Sequence, residues 1–274
     1  FATRRSSDLR SLMEKKILYL LTCVGLCWSS CTNEVDEFIG NVEPSTRSVS
    51  TALNANLASL FTGGAPTLTS AEIKEVNDAY AKMTSINCYR NIDEAVRNKT
   101  SYAGTIFLDD TYASAYFRKG SLAFPPYGIL ASSMEHEFIH MYQRDVQGKK
   151  VDTDKEKRDT GMMEFELAFY QGIIRYIHAG YSWTFKGEDG DPSYQSLWTS
   201  GLTDPSLIPQ YEREFQTYVA SICANGKPTS IDINEFVKWS NIFGEYSRGY
   251  SGKGYKFGNY DYGTSCINSL LKLY

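Results

Sequence analysis

Apolar residues recur at helical spacing along residues 70–83, where Ile73, Val76, Ala79, Tyr80 and Met83 share one face behind a capping Ser70. A shorter helix is expected over 92–97. The pattern then turns strand-like. Residues 104–110 form one apolar run, and 113–120 and 121–124 form two more around a Lys119-Gly120 turn, which predicts a hairpin or meander closed off by Pro125-Pro126. Helical spacing returns over 129–145, and a charged loop, read as a solvated turn, covers 149–159. Further helices are predicted over 160–179 and 208–223, and another begins at Ser230 or Asp232 with Phe236, Val237, Trp239 and Phe243 on its apolar side. The stretch 249–263 alternates Gly with Tyr and reads as a loop, and 265–273 ends the chain as a short helix. One block of strands followed by a run of helices defines an α+β chain. Its small antiparallel or mixed sheet packs on the 129–145 helix, and its C-terminal part is mainly helical. No internal repeat or phosphate-binding glycine loop interrupts this order.

The N-terminal segment follows a different rule. Basic residues after Met13 precede an apolar run at 17–28, the layout of a secretory signal. That run is shorter than the roughly 20 residues a membrane span needs. Trp28-Ser29-Ser30-Cys31 resembles a bacterial lipobox, with Trp28 in place of the usual aliphatic residue. It predicts lipid on Cys31, and the acidic residues just beyond resemble a surface-export signal. The expected products are a leader over 1–31, a polar tether over 32–52 and one domain over 53–274, divided into a sheet-plus-helix part to about 150 and a helical part over 158–274. Such a protein is expected to be exported and lipid-anchored to the bacterial outer membrane or cell surface. The alternative is ordinary cleavage, which gives a periplasmic or secreted protein.

Composition narrows the partners. A formal net charge of −4 in 274 residues argues against nucleic acid, which wants a basic face. With Cys23 and Cys27 in the leader and Cys31 lipidated, only Cys88, Cys223 and Cys266 remain. They lack the paired spacing of a structural zinc site and read as core residues. Oligomeric state leaves no signature in the sequence.

The chemistry concentrates in His136-Glu137-Phe138-Ile139-His140, which uses two of only three His in the chain. Residues four apart share a helix face, so both rings can address one ion, and Glu137 stands beside them as a candidate general base. Asp145 lies about 180° round the helix from His136 and is excluded as a third ligand. Gln143 and Val146 occupy the positions where one known pattern has Gly and His. The next helix carries two carboxylates, Glu164 and Glu166, which point about 200° apart. Glu164 is favoured because it shares its stripe with Ala168 and Gln171, a small neighbour and a polar one. Glu166 stands as the alternative ligand or as a hydrogen-bonding support. His178, roughly 21 Å along the same helix from Glu164, cannot share that ion and reads as a partner of the helix C-terminus.

The sequence His-Glu-x-x-His-x-x-Gln followed by Glu-Phe-Glu-x-Ala resembles gluzincin-like metallopeptidases of bacteria, over residues 105–178. That resemblance implies a zincin-like domain, Zn²⁺ on His136, His140 and a following Glu, and hydrolysis of a peptide or protein substrate. It also implies an edge strand, at 113–117 or 121–124, running along the substrate cleft. A competing expectation is a non-catalytic surface lipoprotein that binds glycan or protein through Tyr181, Trp183, Tyr194, Trp198 and the 246–262 segment.

Overall fold

The computed structural model describes residues 52–112, 114–149, 157–178, 204–224, 226–246 and 265–274. The leader, Cys31, most of the tether, the aromatic positions 181–198 and the Gly-Tyr stretch lie outside the described residues.

Helix α1 (Ala55–Leu60) opens the fold, with the Asn54 side chain accepting from the Asn56 backbone. Helix α2 (Ser70–Ser85) is capped one residue earlier than its apolar pattern suggests. Thr69 accepts from the Glu72 backbone while Glu72 reaches back to the Thr69 backbone, satisfying two end donors reciprocally. Helix α3 (Asn87–Lys99) is twice the length expected from sequence. Its buried face includes Asp93, which is almost fully enclosed. The Asp93 carboxylate accepts from the Tyr80 hydroxyl at 2.8 Å and pairs with Arg97 at 2.9 Å. The first half of α3 carries no start signal, since the N-cap position is Ile86, which offers no side-chain cap.

Three strands follow: β1 (Ile106–Leu108), β2 (Tyr116–Arg118) and β3 (Ser121–Phe124), in the order β1-β3-β2. Strand β2 returns antiparallel on β3 through Lys119 and Gly120, both at positive φ (51° and 78°), the backbone of a tight two-residue hairpin turn. Strand β1 pairs parallel with β3, so the sheet is mixed. Strand β1 is shorter than the predicted run, and just before it the chain at Gly104 lies against the hairpin turn, where an added Cβ would run into the Gly120 carbonyl oxygen. Ile106, Leu122 and Phe117 share one lateral row and join the core, leaving β2 as an edge strand.

Helix α4 (Ala131–Met141) packs on α2, α3 and β2 and runs into a π-helical turn at Tyr142–Val146. Helix α5 (Lys157–His178) is the axis of the helical part. It begins three residues before the predicted start and touches α4, α6 (Ile208–Ile222), α7 (Ile233–Tyr246) and α8 (Ser265–Leu271). Met162, Phe165, Phe169, Tyr170 and Ile173 on α5 are fully enclosed, as suits a helix covered on several sides. Phe165 meets Phe236 at 5.1 Å between ring centres, and Phe215 meets Trp239 at 5.6 Å, so aromatic contacts weld α5, α6 and α7. A two-residue ribbon, β4 (Cys223–Ala224) with β5 (Lys227–Pro228), joins α6 to α7. Asp232 is the residue at the start of α7 whose carboxylate accepts from the Asn234 backbone. The result is an α+β fold with a small mixed sheet packed against helices and a mainly helical C-terminal part. No helix among the described residues is long and apolar enough to cross a membrane.

Candidate metal centre

Helix α4 buries Met134, Phe138, Ile139 and Met141 in the core, and this fixes its rotation. The adjoining face then carries His136 and His140 toward α5, with their Nε2 atoms 3.1 Å apart. Helix α5 answers with Glu164. Its Oε1 lies 3.2 Å from His140 Nε2 and its Oε2 lies 3.7 Å from His136 Nε2. Ligand atoms about 2.0–2.1 Å from a tetrahedral ion are separated by roughly 3.3–3.4 Å, so these spacings suit three corners around one cation. The donor set itself, two imidazole nitrogens and one carboxylate, is one that holds divalent transition-metal ions. Among the described residues this is the group of His, Cys, Asp and Glu side chains whose ligand atoms converge, all within 4.8 Å of one another.

The three side chains keep 14%, 18% and 21% exposure for His136, His140 and Glu164, which leaves a fourth side of the cluster open. Glu137 is more enclosed, at 6%, with Oε1 4.0 Å from His136 Nε2. The edge strand β2 packs on α4, and the Phe117 backbone is near enough to the Glu137 carboxyl to oppose its upward shift.

Enclosure and charge divide the titrating groups. Burial, with His140 beside it, holds His136 down to about 4 against the pull of Glu164. Burial also pulls His140 down, but the Glu164 carboxylate outweighs it through charge and a hydrogen bond, aided by Glu137 and Gln143, and raises the ring to about 9. Glu137 is pushed up to about 8, mainly by burial and further by Glu164, with His140 and the Phe117 hydrogen bond opposing. The two rings are thus pushed in opposite directions, His136 toward the neutral form and His140 toward the cationic one.

Glu166 does not meet the histidines. It lies fully buried, and its Oε2 accepts from Gln143 Nε2 at 2.6 Å. The other end of that amide, Gln143 Oε1, lies 2.9 Å from His140 Nδ1. Glu166 thus supports a ligand through Gln143, and Glu164 is the residue brought to the cluster. Asp145 is turned away, bonded to Arg144 and to the Tyr102 hydroxyl. The backbone of His178 ends α5, while its side chain lies outside the described residues. Sequence reasoning missed Phe117, because a main-chain donor carries no residue-type signal. It quoted Gln143 within the motif without a role, although an amide three residues past a ligand His is within reach of that ring.

No family model matches the chain, and neither a curated protein nor a solved structure matches it. The site is therefore defined by its own geometry: a His136–His140–Glu164 group able to hold a metal ion, with a buried carboxylate at its side.

Proposed function

We propose that this protein is a zinc-dependent hydrolase, and specifically a metallopeptidase, with Glu137 as its general base. The observation that carries this reading is the convergence of Glu164, from a separate helix, on the two His of the His-Glu-x-x-His motif. Bound zinc supplies a Lewis acid and lowers the pKa of water toward neutrality. Within that setting Glu137 moves the proton. Glu137 is a buried carboxyl beside the His pair, placed to take a proton from water and return it to a leaving amine.

The peptide preference draws support from strand β2. It is an edge strand, and it packs on the helix that carries Glu137. An extended peptide paired along such an edge would have its main chain beside Glu137. Arg144 stiffens this edge, its guanidinium carbon 4.3 Å from the Phe117 ring centre and 5.5 Å from that of Tyr102. A purely binding role gives no reason for a buried carboxylate next to a metal group. Export and lipid attachment through Cys31 belong to the same proposal, and they would place the site outside the cytoplasm. Palmitate labelling that disappears in Cys31→Ala tests that part.

The main test is metal content with activity. Wild-type protein is expected to hold about one zinc per chain and to cleave peptides, and the double variant His136→Ala/His140→Ala to do neither. Glu137→Gln should keep its zinc and lose cleavage. Protein that stays metal-free after zinc reconstitution sinks the reading.

A further inference from the structure

Gln143 is completely enclosed, and its amide makes three polar contacts that together determine the chemical state of a neighbouring ring. Its Nε2 lies 3.0 Å from the Met163 carbonyl oxygen and 2.6 Å from Glu166 Oε2. A carbonyl can only accept, so the donor end of the amide must face Met163. The acceptor end, Oε1, then faces His140 Nδ1 at 2.9 Å, and that nitrogen must carry the hydrogen. In the neutral ring the lone pair is thereby left on Nε2, the atom that lies beside His136 and Glu164.

The same contacts fix distance as well as tautomer. Met163 and Glu166 bracket Glu164 on α5, while Gln143 follows His140 on the same stretch of chain as α4. One side chain therefore ties the ligand-bearing turn of α5 to the ligand-bearing turn of α4. The wider π turn at Tyr142–Val146 is where the chain places this residue inward.

We propose that Gln143 is a positioning residue for the metal group, holding His140 in the Nδ1–H tautomer and setting the His140–Glu164 spacing through Met163 and Glu166. The inference rests on the reading of the triad as a zinc site. Its test uses the full chain, Gln143→Leu (similar volume, no polar atoms) and zinc alone as the probe. Competition with a chromophoric chelator measures affinity, and ¹⁵N-histidine NMR of the zinc-loaded protein observes the ring hydrogens, readily sorted with only three His in the chain.

In wild type, His140 is expected to show a downfield Nδ1–H in slow exchange with water. Gln143→Leu is expected to bind zinc about 10–100-fold more weakly and to lose that slow exchange. A variant that merely loosened the fold would lower thermal stability without selectively freeing the His140 hydrogen. Wild-type protein that binds no zinc overturns the metal reading itself. Wild-type zinc binding with an unchanged affinity and an unchanged His140 signal in the variant overturns only the role of Gln143. Should Gln143→Leu fail to fold, the wild-type spectrum decides: a His140 coordinated through Nδ1, or an Nδ1–H exchanging as fast as an exposed ring, overturns the proposal.

Discussion

Glu164 and Glu166 lie two residues apart on one helix and do different work: Glu164 Oε1 stands 3.2 Å from His140 Nε2, while Glu166 Oε2 takes the amide of Gln143 at 2.6 Å. The first carboxylate retains 21% exposure and the second has none. An ion held by the cluster gains charge neutralisation from Glu164, and Glu166 contributes only through the amide it anchors.

Replacing each in turn separates these roles. Glu164→Ala is expected to weaken zinc binding by on the order of 100-fold or more, since a ligand is lost. Glu166→Ala is expected to cost about 10–100-fold in affinity and about 1–3 kcal/mol in stability, because it strips a buried donor of one acceptor. Chelator competition and chemical denaturation of the metal-free proteins measure the two effects. Equal loss of affinity in both variants, with no stability difference, contradicts the division.

How much of this was legible beforehand follows from what each residue depends on. His136, Glu137 and His140 lie within one helical turn, so local spacing alone places them together. Glu164 was reachable because the helix period separates it from Glu166 by about 200° and its stripe is the more polar one. Phe117 was not, because its backbone reaches Glu137 only through the pairing and packing of β2. The length of α3 was hidden for a local reason, since its start after Ile86 has no capping side chain to mark it. The order of strands in the sheet, β1 parallel to β3 across the hairpin, depends on where the chain crosses and not on any local pattern.

The titration of the cluster predicts how zinc and pH act together. Without metal, His140 sits near 9 in the fold against an ordinary 6.5, so it stabilises the protein below 6.5 and that contribution fades as pH rises toward 9. Glu137, raised from 4.5 to about 8, loses stability in the same direction between those values. His136, lowered from 6.5 to about 4, acts oppositely, but only below 6.5. From pH 6.5 to 9 the metal-free protein should therefore become less stable while zinc has progressively less proton to displace from His140. The rise in melting temperature on adding zinc should grow across that window. Calorimetry at pH 7 in buffers of different ionisation enthalpy should register at least one proton released per ion. A shift that is flat with pH, with no proton release, rules out this assignment of charge.

The Asp93 network makes a stability prediction independent of the site. Its carboxylate is enclosed with Tyr80 and Arg97 as partners, and burial followed by the Asp93 charge holds the Tyr80 hydroxyl well above the usual phenol range. Asp93→Ala leaves a partly buried guanidinium and a buried hydroxyl without that acceptor, which should cost about 3 kcal/mol. Zinc affinity should change little, since α3 supplies no residue to the cluster. Urea denaturation and chelator competition on the same sample test both halves.

The edge strand offers the sharpest way to part chemistry from metal binding. Arg144 lies over the Phe117 ring, is forked to the Asp145 carboxylate at 2.9 and 2.7 Å, and through Asp145 is linked to the Tyr102 hydroxyl. These groups brace β2, the strand that packs on the helix carrying Glu137. Arg144→Ala removes a stacking contact of about 1–2 kcal/mol and frees the edge to shift. Peptide cleavage should then fall by about tenfold, since a displacement of the order of 1 Å at a base is costly. Zinc should remain at one per chain with unchanged affinity. Arg144→Lys, which keeps the cation but not the planar fork, should recover part of the rate. Loss of zinc in Arg144→Ala would show instead that the brace supports the whole metal group, and full activity in that variant would remove β2 from the account of how Glu137 is held.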